Sequence, residues 1–350
     1  MRYSLVLLFA FFLHASSLAQ SYEQTLDSLF LAGICTETGF TIPTLKGMPR
    51  GKGLEIYQER VPNHQLQSTL NNLTDSSDEA DVRRTKSWMI NLRLPVVNKD
   101  HFKFLVGLKY YQQEFAFQDP GSLENSFYQS LQDKPLRSMG LTFYGVKSFL
   151  GNKYLLGRAA FRLNGDFRAD LDDHVKSTLA LIYGVKRHRY STWGVGASYS
   201  NTFGRSAIYP VFLYKNRFRP KWAVELLLPV SARLMYQPNS KNILYFDSKL
   251  EGDNYNLNFN GFSDQALYLE KSDFKSLLTY EREVYDFFWV FASAGVRFNL
   301  NFDISDSDVF FERNFPVGTD ENVLINNSLS DAFFFRFGFF IVPPRKWLND

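Results

Sequence analysis

The sequence contains one cysteine, Cys35, among its 350 residues. No disulfide can therefore form within the chain. Lipid attachment at Cys35 is disfavoured, because a lipobox needs a small residue directly before the cysteine and Ile34 stands there. We interpret Cys35 as a small buried thiol.

Beyond its first twenty residues the chain has no apolar run long enough to cross a membrane as a helix, which needs about 20 residues. The two most apolar stretches, Phe287–Phe298 and Ala332–Val342, are interrupted by Arg297 and Arg336. The formal net charge is only +3 and is dispersed, so nucleic acid is not an expected partner. The sequence pattern contains no alternation of strands and helices, so a nucleotide-binding sheet is not predicted.

The N-terminus has the features of a secretory signal peptide. Arg2 precedes the apolar core Leu5–Leu13, and Ser17-Leu18-Ala19 forms a cleavage site with small residues. The core is too short for an uncleaved anchor, the alternative reading. We predict a signal peptide over 1–19, a periplasmic segment or partial plug over 20–52, a β-barrel over 53–343 and a tail over 344–350.

Alternation of apolar and charged residues is the main signal in the chain. In Tyr154–Phe167, apolar or small residues at odd positions alternate with Arg158, Arg162 and Asp166. Successive side chains of a strand point to opposite faces. A soluble sandwich would bury the apolar face, whereas a membrane barrel turns it to lipid and encloses the polar one. The 35 Phe and 19 Tyr favour the barrel, whose aromatic girdles lie at both lipid–water interfaces.

The same pattern recurs along the chain and predicts an all-β fold, a single antiparallel transmembrane β-barrel of about 12 strands (range 10–14). Asn63–Asp81, Gln118–Pro135 and Asp303–Asp331 are predicted as loops. The alternation slips between 236 and 286, so either a strand is miscounted or Leu54–Val61 changes the parity. The predicted strands are Leu54–Val61, Thr85–Val97, His101–Phe117, Leu136–Leu150, Tyr154–Phe167, Val175–Lys186, Tyr190–Asn201, Ala207–Arg217, Trp222–Tyr236, Asn242–Leu250, Leu267–Val284 (with a possible break at Ser272-Asp273), Phe287–Phe302 and Ala332–Val342.

The two faces of these strands give two sets of candidate residues. The candidates for the lumen are Lys103, Lys109, Arg158, Arg162, Asp166, Lys186, Glu225, Arg233, Glu281, Glu283, Arg297 and Arg336. The candidates for the lipid-facing surface are Phe102, Phe104, Phe161, Trp193, Trp222, Phe298, Phe333, Phe335, Phe337 and Phe339.

Two interpretations of the charged face remain open. Charges inside a barrel must be paired or hydrated, so they could form a structural ion-pair network that fills the lumen. They could also line a water-filled passage whose cationic excess favours small polar or anionic solutes. In either case Arg158 and Arg162 need acids from other strands, and we expect these acids to be Glu225, Glu281 and Glu283.

A third interpretation, a lipid-modifying enzyme, needs a nucleophile and a base. His64, His101, His174 and His188 fall in predicted loops, turns or strand ends, and no Ser or Asn partner is evident at matching depth. We therefore predict no catalytic residues and no cofactor. The Asp-rich stretches Asp170–His174 and Asp303–Asp308 lack the glycine and distal glutamate of a calcium loop, so no metal site is predicted.

Several short motifs resemble an uncharacterised family of outer-membrane barrels that is common in Bacteroidetes and is known only as a domain of unknown function. They are Arg93–Lys99, Leu163–Asp166, Phe203–Arg205 with Ile208–Pro210, Leu226–Pro229 and Glu281–Asp286, and their order carries the resemblance. The resemblance implies a barrel in the outer membrane. It implies no substrate and no catalytic residues.

We therefore expect a bacterial outer-membrane protein, exported through a cleaved signal peptide. Its expected partners are outer-membrane lipid, a possible small polar or anionic solute, and the machinery that inserts barrels. The terminal strand Ala332–Val342, with its row of Phe residues, should pair with the first strand and carry the address that this machinery reads.

Overall fold

The computed structural model describes residues 45, 48–70, 77–99, 101–119, 126–165, 175–200, 207–257, 267–305 and 323–343. The predicted signal peptide, Cys35 and the tail 344–350 lie outside these residues, as does most of the segment 20–52. Within the described ranges, no helix is both long and apolar enough to cross a membrane.

The described chain is almost entirely strand, with one short helix. The helix α1 spans Ser126–Asp133. The strands are β1 (Leu54–Leu70), β2 (Ser77–Lys99), β3 (Phe102–Phe117), β4 (Leu136–Ser148), β5 (Lys153–Gly165), β6 (Val175–His188), β7 (Ser191–Ser200), β8 (Ala207–Arg219), β9 (Trp222–Leu228), β10 (Ser231–Asn239), β11 (Asn242–Leu257), β12 (Leu267–Glu283), β13 (Phe288–Ser305), β14 (Val323–Leu329) and β15 (Ala332–Ile341).

These strands form one closed antiparallel barrel. Each strand from β1 to β13 pairs with the next, and β15 pairs with both β13 and β1. The short strand β14 pairs with the same two neighbours farther along, so β14 and β15 share one position in the wall. The wall therefore has 14 positions, which confirms the predicted barrel and the predicted pairing of the terminal strand with the first. Closure gives every described strand a paired neighbour on each side.

The 14 wall positions lie at the upper end of the predicted range of 10–14, and two particular segments explain the difference from 12. Trp222–Tyr236 is not one strand but the hairpin β9–β10, which turns at Pro229 and Val230; the Val230 N–H donates to the Leu227 carbonyl at 2.8 Å. The residues of this turn are apolar, so the alternation of apolar and polar residues predicted one continuous strand. Leu54–Val61 belongs to β1, and this strand makes the number of wall positions even. At Ser272-Asp273 the register shifts, but β12 continues.

The three predicted loops were also partly wrong. Asn63–Asp81 contains the ends of β1 and β2, which stay paired as far as Thr69 and Ser77. Gln118–Pro135 contains α1, and Asp303–Asp331 contains the end of β13 and all of β14. In these stretches the side chains become polar while the backbone ladder continues, so apolar alternation cannot mark the strand ends.

The two ends of the barrel differ. At one end, which we call the short-turn end, tight turns join β2 to β3, β6 to β7, β8 to β9 and β10 to β11, and β1 begins beside the end of β15. At the other, the long-loop end, longer connections join β1 to β2, β3 to β4 and β13 to β14. In outer-membrane barrels short turns face the periplasm. The closed barrel and its apolar outer surface support a location in the outer membrane.

Gly184 marks a place where the wall tolerates no larger side chain. It stands opposite Tyr154, and a Cβ at Gly184 would lie 2.1 Å from the Tyr154 ring, whose hydroxyl is 2.9 Å from Thr192 Oγ1. We expect Gly184→Ala to lower the free energy of unfolding by about 1–3 kcal/mol, measured by urea unfolding in lipid vesicles. Gly145→Ala is the matched control, since a Cβ there meets nothing within 4 Å. Equal stability of the two variants would contradict the close contact.

Candidate functional site: the charged lumen

The inward faces of the strands enclose many more buried cations than buried carboxylates. Among the side chains that the structure describes, eleven Lys or Arg residues are buried against six Asp or Glu residues, an excess of five positive charges. The buried cations are Arg93, Lys103, Arg158, Arg162, Lys176, Lys215, Lys249, Lys271, Lys275, Arg297 and Arg336, and the buried acids are Glu55, Glu59, Asp247, Asp273, Glu281 and Glu283. A charge inside the barrel is costly unless it is paired or hydrated.

Glu59 of β1 is the centre of the ion-pair network. Its Oε1 accepts a hydrogen bond from Lys275 Nζ at 2.8 Å, and its Oε2 accepts one from Arg336 Nε at 3.2 Å. Lys275 also lies 3.0 Å from Glu251, which pairs with Lys249. The network therefore ties β1 to β15 beside it and to β11 and β12, which lie on the far side of β15 and β13.

A small cavity, which we call the central chamber, lies next to this network. It has a volume of about 60 Å³. Its wall includes six cations, Arg93, Lys109, Lys249, Lys271, Lys275 and Arg336, and four carboxylates, those of Glu55, Glu251, Asp253 and Asp273. Tyr57, Tyr111 and Tyr255 also line it. The chamber is therefore polar, rich in donors and positively charged.

The mouth of the lumen at the short-turn end is covered by residues 48–53, which precede β1. The Lys52 ammonium lies 2.8 Å from Glu281 and 2.9 Å from Glu55. Arg50 Nη1 lies 3.0 Å from Asp286 Oδ1 and donates to the Pro343 carbonyl at 2.8 Å. Burial alone would lower the pKa of Lys52, but Glu281 and Glu55 together raise it above its ordinary value. Lys52 is therefore charged. We call the ionic contacts of Arg50 and Lys52 the latch.

The mouth at the long-loop end is closed by apolar packing. Phe127, Tyr128 and Leu131 of α1 belong to a buried cluster with side chains from β1–β4 and β11–β14. The Tyr128 hydroxyl donates to the Asp78 carbonyl at 2.9 Å, and burial raises the pKa of this phenol above its ordinary value. At the level of this cluster the wall is drawn inward, since Asn256 of β11 pairs directly with Gly165 of β5.

The structure places most of the predicted lumen residues on the inner face. Arg158, Arg162, Arg297 and Arg336 are buried there, as are Lys103, Glu281 and Glu283. Lys109 lines the central chamber, while Glu225 and Arg233 line a second cavity of about 40 Å³ at the short-turn end. Lys186 is half-buried near the end of β6, and Asp166 lies outside the described residues.

Arg162 contacts an acid that the sequence did not predict. Arg162 Nη1 pairs with Asp253 Oδ1 of β11 at 2.9 Å, and the Arg158 guanidinium lies 5.8 Å from the centre of the Tyr144 ring. Glu281 instead contacts Lys52, and Glu283 lies 3.6 Å from Arg50. Glu225 contacts Lys215 and Arg233. β11 bends inward to meet Gly165 of β5, and this bend brings Asp253 close to Arg162. The number of strands could not have predicted the bend.

Sequence reasoning missed the central network itself. Its missed members are Glu55, Glu59, Lys249, Glu251, Asp253, Lys271, Asp273 and Lys275. All of them lie in β1, β11 or β12, where the parity was uncertain. A usable signal existed, since Glu281 and Glu283 were already placed inward, and extending their alternation back along β12 reaches Lys275, Asp273 and Lys271.

The outward faces carry the predicted lipid-facing aromatics. Phe161, Trp193, Phe298, Phe333, Phe335 and Phe337 are exposed on the outer surface, and Phe102, Phe104, Trp222 and Phe339 are partly buried. Phe104 stacks on Phe102 and on Phe143. Exposed apolar side chains on this scale require an apolar surrounding, which the acyl chains of a bilayer supply.

The structure describes three of the four histidines considered in the sequence analysis. His64, expected in a loop, lies within β1 and is buried; its Nδ1 is 3.0 Å from the Pro62 carbonyl and its Nε2 is 3.2 Å from Thr85 Oγ1. His101 lies in a turn and His188 ends β6, while His174 is outside the described residues. In the described ranges, no group of three or more His, Cys, Asp or Glu residues could hold a metal ion.

Comparisons with known proteins identify a family and give distant structural neighbours. A family model described as "Domain of unknown function (DUF6268)" matches residues 146–340. An outer membrane channel from Pseudomonas putida F1 has a TM-score of 0.38 at 10% identity, over 88% of this chain and 99% of that one.

The translocator domain of the autotransporter NalP from Neisseria meningitidis gives 0.33 at 12% identity, over 84% of this chain and 89% of that one. The outer membrane protease OmpT from Escherichia coli gives 0.27 at 8%, over 82% and 96%. No curated protein matches the sequence.

Proposed function

The chain belongs to the DUF6268 family, and we propose that it is a gated outer-membrane passage for small polar or anionic solutes. The observation that carries this proposal is the excess of five positive charges among the buried lumen side chains that the structure describes. A wall with this balance attracts anions and repels cations along the whole path. A lumen that served only to fill the barrel would not need an excess of one sign of charge.

The two mouths supply the gates. Residues 48–53 cover the short-turn end through ionic contacts with Glu55, Glu281 and Asp286, and α1 covers the long-loop end through apolar contacts. The ionic contacts of residues 48–52 can be released without unfolding the wall, because the side chains of Arg50 and Lys52 make them, whereas Gly53 is joined to the wall by backbone hydrogen bonds with Ile341 and Arg93. We therefore assign the gate to residues 48–52.

The second candidate is a structural or assembly barrel with a closed lumen. The observation that favours it is the density of ion pairs around Glu59, where both carboxylate oxygens are occupied by cations. This candidate requires no opening. It predicts that envelope proteins purify with the barrel and that the barrel does not conduct.

Three further proposals rest on the sequence and on the way the barrel closes. We propose a Bacteroidetes source and a cleaved signal peptide, on the motifs given above. We also propose that the insertion machinery reads β15, the strand that completes the barrel and that carries Phe333, Phe335 and Phe337 on its outer face.

Planar-bilayer recording separates the two candidates. We expect the full chain to open rarely, and the double variant Arg50→Gln/Lys52→Gln to open at least about tenfold more often, since it loses the charge–charge contacts of the latch. In a salt gradient the open state should pass anions better than cations. Lys153→Gln, at the exposed start of β5, is the control and should behave like the unaltered chain. Silence of both the chain and the double variant would favour the structural barrel.

A further inference from the structure

We propose that the central chamber binds one small oxyanion with the charge and size of phosphate or sulfate. The inference deepens the proposed function, on which it rests, by naming a solute class and the place where that solute is held. It starts from the chamber wall, where six cations face four carboxylates.

The volume of the chamber matches this ligand. A cavity needs at least about 10–15 Å³ to hold one water molecule. The chamber, at about 60 Å³, therefore has room for a small polar ligand. A tetrahedral oxyanion is such a ligand, since it presents four oxygens around one small atom.

The register of the strands concentrates positive charge beside the chamber. Lys249 of β11 stands directly opposite Lys275 of β12, and Lys275 stands directly opposite Arg297 of β13. Like charges in opposed positions destabilise a sheet. Glu251 offsets the first pair, because it contacts both lysines. Lys275 also contacts Glu59, and Arg297 lies 4.0 Å from Asp273, so the three cations form a continuous positive row held beside three carboxylates.

Arg297 is the least satisfied of these three cations. Its side chain is only 1% exposed, and in the described part of the chain its Nε and Nη1 have no hydrogen-bond acceptor. Its nearest carboxylate oxygen, Asp273 Oδ1, lies 4.0 Å from Nε. Asp273 lines the chamber, so the positive charge of Arg297 lies close to the chamber wall.

The chamber offers donors as well as charge. Lys271 Nζ donates to Gln113 at 2.7 Å and lies 3.4 Å from Asp273, which leaves the third proton of its ammonium for a ligand. Lys109 and the hydroxyls of Tyr57 and Tyr255 lie on the same wall. Several donors around one site favour an oxyanion, which accepts many hydrogen bonds, over a halide of the same charge.

Calorimetric titration of the detergent-solubilised full chain tests the proposal, with inorganic phosphate, inorganic sulfate and chloride as probes. We expect phosphate or sulfate to bind with a stoichiometry of one, and chloride to bind at least about tenfold more weakly. The double variant Lys109→Gln/Lys271→Gln should weaken oxyanion binding by at least about tenfold. Lys103→Gln is the matched control, because Lys103 is a lumen lysine of the same strand as Lys109 and does not line the chamber.

A second variant is expected to strengthen oxyanion binding, and loss of folding could not produce that effect. Asp253→Asn removes one of the four carboxylates, so it should tighten oxyanion binding by at least about threefold. Equal affinities for phosphate and chloride, or equal effects of the double variant and Lys103→Gln, would overturn the proposal. Anion-selective conductance without oxyanion binding would refute the chamber site and leave the passage standing, whereas oxyanion binding without conductance would refute the passage and leave the site.

Discussion

Replacing Glu59 by glutamine should lower the free energy of unfolding by about 3–5 kcal/mol, the largest effect expected of any single substitution in the lumen. The carboxylate contacts Lys275 at 2.8 Å and Arg336 at 3.2 Å, and all three side chains are buried. Glutamine keeps the size of the side chain but leaves Arg336 without its carboxylate and Lys275 with Glu251 alone. Urea unfolding in lipid vesicles at neutral pH, followed by heat-modifiable migration, measures the loss.

The matched control is Glu114→Gln, the same change at an exposed acid of β3, where the carboxylate accepts a hydrogen bond from Gln112 at 2.6 Å. This control should stay within about 0.5 kcal/mol of the unaltered chain, as surface changes usually do. A double variant, Glu59→Met/Arg336→Met, should recover part of the loss, because an apolar pair leaves no buried charge behind. If Glu59→Gln were as mild as Glu114→Gln, the network would be hydrated rather than dry.

The second large effect is expected on the outer surface, where Phe337→Arg should cost about 2–4 kcal/mol. Phe337 is 64% exposed and is the central member of the five outward side chains of β15, which run from Phe333 to Ile341. An arginine there would place its guanidinium near the middle of the apolar layer. The same vesicle unfolding assay measures this cost.

Phe287→Arg provides the comparison for depth. Phe287 is also exposed, but it lies in the short turn between β12 and β13, at the edge of the apolar layer. An arginine at an interface costs only about 0–1 kcal/mol. If the two substitutions had the same effect, the outer face of β15 would not lie across the membrane.

The alternation of side chains carried most of what could be predicted. In β5 and β13 every second residue is apolar or small, and that pattern by itself separated a lipid face from an enclosed face. The pattern failed where the two faces of a strand do not differ clearly in hydrophobicity. In β12 the stretch from Lys271 to Lys275 contains ions on one face and Ser272 and Phe274 on the other, and at Pro229 an apolar turn imitates a continuing strand.

The contacts of the lumen could not be predicted for a different reason. A strand pattern states which face a side chain occupies, but it does not state how far away the opposite wall is. Arg162 meets Asp253 only because β11 bends to touch β5, and Lys52 meets Glu281 only because residues 48–53 cross the mouth. Both arrangements depend on the shape of the closed barrel.

The sequence by itself determined that this protein is a barrel with an apolar outside and a charged inside, because a period of two is a local property of each strand. The tertiary structure alone decided that the barrel has 14 wall positions, which acids pair with which cations, and that a small positively charged chamber remains between two covered mouths. Those features arise when strands far apart in the chain close on one another, and the free energy of a buried charge depends on the distance and partner that this closure sets.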